Sequence, residues 1–159
     1  MIIRNMKPED IGQVTAIEKQ CFSMPWSEKS FLDSIVREDT IFLVAEQAEK
    51  DEMGMVNLSQ QSADRILGYI GMYFAFEEGE ITNVAVSPNC RKQGVGNQLV
   101  TAMQTAGKEH NLERIILEVR TSNTNAISLY KRNGFIELGI RKNFYEMPTE
   151  DAIIMACEI

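Results

Sequence analysis

Long hydrophobic runs are scarce in this chain. No apolar stretch approaches the roughly 20 residues a membrane-spanning helix needs, and Met1-Ile2-Ile3-Arg4-Asn5 lacks the basic-then-apolar layout of a secretory signal. The expectation is a cytoplasmic protein without membrane contact. Cysteine is sparse too. Cys21, Cys90 and Cys157 are odd in number and far apart, which argues against a disulfide framework and offers no metal-ligand pair; free thiols and no metal are expected. The single histidine, His110, falls at a helix end with nothing marking it as a partner, so acyl-cysteine chemistry at Cys90 has no evident base. Basic runs are absent and the net charge is −7, which disfavours nucleic acid and suits a cationic partner, although solubility alone accounts for excess acid. There are no repeats and no low-complexity tracts. What is present is 159 residues with 44% hydrophobic content, enough for one domain over 1–159 with a real core, as a monomer or weak dimer.

Periodicity gives the order of elements. Met1 to Arg4 reads as a short strand. Lys7-Pro8-Glu9-Asp10 opens a helix with Ile11, Val14, Ile17 and Cys21 on one face. Ser27 caps a second helix expected to turn Phe31, Leu32 and Ile35 inward, and Ile41 to Ala45 is a buried strand. Residues 47–65 are polar and aperiodic, which predicts a flexible tip. Ile66 to Phe76 and Glu80 to Val86 form a hairpin about Glu77-Glu78-Gly79. An amphipathic helix from Val95 carries Leu99, Val100 and Met103, Ile115 to Val119 is a strand, and Asn133-Gly134 stops a short helix over 125–132. Phe135 to Ile140 and Ala152 to Cys157 complete an α/β (α+β) fold: a mixed, mostly antiparallel sheet of about seven strands with helices on both faces.

The richest segment is Asn83-Val84-Ala85-Val86-Ser87-Pro88-Asn89-Cys90-Arg91-Lys92-Gln93-Gly94-Val95-Gly96, a strand, a glycine turn and a helix start. Without Cβ atoms at Gly94 and Gly96, N–H groups at the positive end of the helix dipole can approach an anion, with Arg91 and Lys92 beside them. A tight turn holding no ligand accounts for the glycines equally well. A Walker loop is ruled out because Asn97 and Gln98 follow Gly96, and a dinucleotide fingerprint because position 99 is leucine. Further on, Glu118 interrupts an apolar strand. It is either paired with Arg120 two residues along or held in a cleft as a base, and Tyr130 alone would be core packing.

Taken together, Asn-Val-Ala-Val, Arg-Lys-Gln-Gly-Val-Gly, Leu-Glu-Val-Arg-x-Ser-Asn and Ala-Ile-x-Leu-Tyr-x-x-x-Gly-Phe resemble, in order and spacing, the GNAT acetyltransferase superfamily. Pro25-Trp26-Ser27, Arg141-Lys142-Asn143-Phe144-Tyr145 and Glu150-Asp151-Ala152-Ile153-Ile154-Met155 narrow the resemblance to the RimI-like ribosomal-protein-alanine N-acetyltransferases, over nearly the whole chain. Phe144 stands where that family commonly shows a second tyrosine, and the 47–65 segment is longer than usual.

The resemblance implies acetyl-CoA as co-substrate, Glu118 as proton acceptor and Tyr130 as proton donor. It implies that the backbone of Val84, Ala85 and Val86 holds the pantetheine arm and thioester. Arg91, Lys92, Gln93, Gly94, Val95, Gly96 and Asn97 would hold the pyrophosphate, the Asn123 side chain would contact the cofactor, and Trp26 and Tyr145 would line a peptide groove. The implied acceptor is the N-terminal alanine of a basic small-subunit ribosomal protein. A small-molecule amine or lysine side chain, or a coenzyme A-binding module without turnover, are the alternatives. An α-amine, with pKa about 7.7–8, asks less of a carboxylate base than lysine at about 10.4.

Overall fold

The computed structural model describes residues 1–48 and 65–159. The predicted flexible tip falls almost wholly on residues outside these. The described strands are β1 (Ile2–Asn5), β2 (Thr40–Glu46), β3 (Ile66–Ala75), β4 (Glu78–Val86), β5 (Arg114–Arg120), β6 (Ile136–Tyr145) and β7 (Glu150–Glu158). The helices are α1 (Ile11–Cys21), α2 (Glu28–Ile35), α3 (Val95–Glu109) and α4 (Thr124–Arg132). The seven strands form one sheet in the order β1-β2-β3-β4-β5-β7-β6. Every neighbouring pair is antiparallel except β4 and β5, and α3 supplies the crossover that a parallel pair requires. The expected mixed, mostly antiparallel sheet with helices on both faces is what forms.

Two apolar layers hold the sheet between the helices. On one face Leu99, Val100 and Met103 of α3 pack with Ile70, Met72, Ile115, Leu117 and Met155. On the other, Ile11, Val14 and Ile17 of α1 and Phe31 of α2 pack with Phe42, Val44 and Tyr69. Strand β2 is buried on both faces, which is why Ile41 to Ala45 reads as an unbroken apolar run. Local chemistry sets the helix ends. Ser27 Oγ accepts from Ser30 N at 3.1 Å to cap α2, and Gly134, at φ 84°, takes the left-handed position after α4.

Two expectations are corrected and one open alternative is narrowed. Leu32 is exposed, and Ser34 takes the inward position instead, sharing a hydrogen bond with the Tyr73 hydroxyl. The β3–β4 turn sits one residue earlier than expected, at Phe76-Glu77, because Ala75 pairs directly with Glu78. Glu118 is not paired with Arg120; its ion pair is with Arg141 of β6, while Arg120 turns to Glu150.

Candidate active site

The sheet parts in the middle. β4 and β5 pair only over Glu78–Ile81 and Arg114–Leu117, after which β4 continues to Val86 and β5 to Arg120 without touching. A bulge lies at the parting: Gly71 is opposite Asn83 and Met72 opposite Ile81, leaving Thr82 as the extra residue. One extra residue reverses the alternation of faces. Ile81 packs on the α3 side, and beyond the bulge Val84 and Val86 do so, while Ala85 joins the α1 side and Asn83 turns toward Glu18.

The parting leaves a bare strand edge. Ser87 N donates to Leu67 O at 2.9 Å, so by alternation the backbone groups of Ala85 face β3 and those of Val84 and Val86 face the gap. Val86 O is indeed met from that side, by Arg91 Nε at 3.3 Å and Cys21 Sγ at 3.6 Å. Of the three residues expected to offer backbone to a thioester, Val84 and Val86 present theirs to the opening.

A cleft of about 760 Å³ runs from this edge to the start of α3, lined by Val84, Ala85, Val86, Arg91, Lys92, Gly94, Val95, Gly96 and Asn97 and also by α4 residues from Asn125 to Arg132, among others. Gln98 N donates to Gly94 O at 3.1 Å as the first bond of the helix, so the N–H groups of Val95, Gly96 and Asn97 have no intrahelical partner, and no side chain caps them. The two glycines do different jobs. Gly94 has φ +82° with nothing within 4 Å of where a Cβ would stand, leaving room above the turn. A Cβ on Gly96 would lie 3.2 Å from Leu129 Cδ2, so Gly96 lets α3 close on α4. Gln93 turns away, its Nε2 donating to Asn89 O at 3.2 Å, and braces the turn.

A second cleft, about 490 Å³, opens where β4 and β5 part and is lined by Asn83, Val84, Glu118, Arg120, Tyr130 and Tyr145 among others. The clefts share Cys21, Phe22, Val84, Asn123, Ala126 and Tyr130, so they meet. Burial raises the Glu118 pKa, the charge of Glu80 adds to the rise, and Arg141 opposes it with Nη1 at 3.1 Å from Oε1. Such a carboxylate holds a proton more readily than a free one and is a better base for an amine. Tyr130 is 7% exposed, and burial raises its pKa, keeping the hydroxyl protonated as a donor. Asn123 Oδ1 accepts from Ala126 N at 3.2 Å to cap α4, a bond that does not use its amide N–H groups, and the residue lines both clefts.

The two lips of the second cleft come from distant segments. Tyr145 lies under the Arg120 guanidinium at 4.4 Å, and burial, then Glu118, push its pKa up to about 12. Arg120 also donates to Glu146 O and Pro148 O, both at 2.9 Å, and fixes the β6–β7 turn. Glu150 accepts from Ser122 N at 2.8 Å, from Thr121 and from Arg120, which lowers its pKa to about 2. Trp26 faces the cleft but is also packed, 5.4 Å from Phe31 and 6.2 Å from Phe42.

One residue of this site escaped the sequence reading. Glu18, 1% exposed, accepts from Trp26 N at 3.0 Å, from the Tyr69 hydroxyl and from Asn83 Nδ2 at 3.4 Å. Burial raises its pKa against those donors. It ties the α1–α2 lip to β3 and to β4 just past the bulge. The signal was there: an acid on the buried stripe of Ile11, Val14 and Thr15 must have partners. Among the described residues no group of His, Cys, Asp and Glu is gathered to hold a metal, and no helix is long and apolar enough to cross a membrane.

A parted β4–β5 pair, a β4 bulge and a helix N-terminus facing the gap define a chain of the GNAT class, and the Acetyltransferase (GNAT) family profile matches residues 11–135. The chain belongs to that family and is an N-acetyltransferase. Among individual relatives it is 35% identical, over 96% of this chain and 92% of the other, to a Bacillus subtilis protein provisionally named a ribosomal protein bS18-alanine N-acetyltransferase. It is 32% identical to the Salmonella typhimurium protein of that name, over 94% and 92% of the two chains. The crystal structure of the Escherichia coli ribosomal-protein-S18-alanine N-acetyltransferase superposes with a TM-score of 0.81 at 28% identity, covering 99% of this chain and 93% of that one.

Proposed function

We propose that this protein, acting as a single cytoplasmic domain, transfers acetyl from acetyl-CoA to a protein N-terminus, the N-terminal alanine of a basic small-subunit ribosomal protein being the favoured acceptor. The observation that carries the reading is the meeting of two unlike clefts at Val84 and Tyr130. One offers backbone N–H groups and the other a half-buried carboxylate. The donor cleft fits a pyrophosphate, since Val95, Gly96 and Asn97 leave three N–H groups free at the positive end of a 15-residue helix. Full-length similarity to alanine N-acetyltransferases supports the acceptor, as does the acidic balance of the chain.

Acetyl-CoA supplies the acyl group as a thioester. In this reading the open edge at Val84 and Val86 orients the thioester, and an N–H there stabilises the charge that develops on the carbonyl oxygen when the amine attacks. Glu118 takes the amine proton, directly or through a water, as the C–N bond forms. Tyr130 gives its proton to the departing sulfur as the C–S bond breaks and recovers one from solvent. An α-amine is already about a tenth neutral near pH 7, so a carboxylate suffices. Because the Glu118 pKa is raised, kcat is lost as pH falls through a higher value than for a free glutamate.

Incubation with acetyl-CoA and peptides beginning Ala-Arg, Ser or Met, or a blocked peptide carrying one lysine, followed by mass analysis, tests the assignment. Acetyl on the α-amine of the alanine peptide is expected. Acetyl on the lysine peptide alone would mean that the acceptor is misassigned.

A further inference from the structure

The charge beside Glu118 belongs to the protein itself. Arg141 reaches from β6 across β7 to the carboxylate, and the pair is lopsided: the arginine side chain is 54% exposed and the glutamate 10%. The guanidinium lies 5.2 Å from the ring centre of Phe144, which, like Glu118, lines the cleft. No backbone carbonyl or second carboxylate among the described residues holds it. Arg120 is the contrast, pinned by two carbonyls, by Glu150 and over the Tyr145 ring. One arginine is built in; the other is free to leave.

The remaining charged and titratable groups near Glu118 do not replace Arg141. Glu80 of β4 repels the Glu118 carboxylate, and Tyr145 of β6 faces that carboxylate as a neutral phenol. Tyr130 of α4 shares the cleft wall, also protonated. Arg120 is spent on Glu150, and Glu18 of α1 on Trp26, Tyr69 and Asn83. A substrate α-ammonium would bring a second cation to a carboxylate with little open surface, and two cations there repel.

We infer that Arg141 is a resident counter-cation: it holds the ion-pair position on Glu118 that the substrate ammonium would take, offsets the burial of that carboxylate in the empty enzyme, and gives way when the amine arrives. This rests on Glu118 being the base of the proposed reaction. Without Arg141, burial and Glu80 would leave more of Glu118 protonated, and an arriving ammonium would meet a carboxylate less often. The residue is therefore a positioning group for charge and does not touch the acyl transfer.

The test is an NMR titration of the Glu118 carboxyl carbon in the free wild-type protein and in Arg141→Gln and Arg141→Lys variants. The glutamine variant is expected to raise the Glu118 pKa by about half a unit to one unit, as loss of a partly exposed neighbouring cation should, and lysine to restore most of it. Repeating the titration with saturating Ala-Arg peptide and no acetyl-CoA should erase the gap between wild type and Arg141→Gln, since the substrate then supplies the charge. Equal Glu118 pKa values in the free proteins would overturn the inference, and a gap that persists in the peptide complex would show that Arg141 never leaves. No turnover is needed, so a protein that acetylates no N-terminus would sink the proposed function while leaving this titration readable.

Discussion

The two clefts are made of different material. The donor cleft takes about half of its lining from one continuous segment, Val84 to Asn97, and most of the rest from α4 and its N-cap Asn123; its specialised parts are backbone, a left-handed Gly94, three free N–H groups and a strand edge that no strand pairs. The acceptor cleft is mostly side chain, brought by α1, the α1–α2 connection, β4, β5, α4 and the end of β6. The difference teaches where each can fail. A backbone site is damaged by changes in conformation and tolerates many side chains. A side-chain site is damaged by single-atom replacements that leave the fold intact.

That contrast can be broken most sharply at Glu118. Glu118→Gln keeps the shape and removes the base, and turnover is expected to fall about 100-fold or more at pH 7 with thermal stability retained; full activity would end the mechanism. Gly94→Val comes next. A β-branched residue at φ +82° is strained by about 1–3 kcal/mol, so KM for acetyl-CoA should rise about tenfold or more while peptide KM stays. An unchanged acetyl-CoA KM would show that the turn holds nothing. Tyr130→Phe should lower kcat about tenfold with both KM values nearly constant, because only the proton to the leaving sulfur is lost. The smallest effect belongs to Trp26→Ala: peptide KM should rise a few-fold, with some loss of stability because the ring packs on Phe31 and Phe42.

The same contrast explains what could be read from the sequence. The backbone parts of the donor cleft are local, so Arg91 to Gly96 announces a turn and a helix start, and the apolar periods of α1, α3 and β2 announce their buried faces. The acceptor cleft depends on pairings between distant segments. Arg120 is the nearest cation to Glu118 along the chain, whereas the actual partner, Arg141, arrives through two registers, β5 on β7 and β7 on β6, that set Arg120, Ala152 and Arg141 abreast. Likewise the bulge at Thr82 leaves no mark in composition, yet it decides that Asn83 meets Glu18 and that Val84 and Val86 pack on the α3 side. Leu32 was misplaced because a short helix with few apolar residues leaves the phase of its buried stripe loosely set; Phe31 and Ser34, three apart, define the observed one.

The division of labour between the clefts is tested most directly by titrating coenzyme A into Glu118→Gln calorimetrically. A Kd within about twofold of wild type, beside the loss of turnover, is the result expected if Glu118 serves the acceptor side alone. A Kd that weakens in step with turnover would contradict it, because the carboxylate would then be part of the donor site.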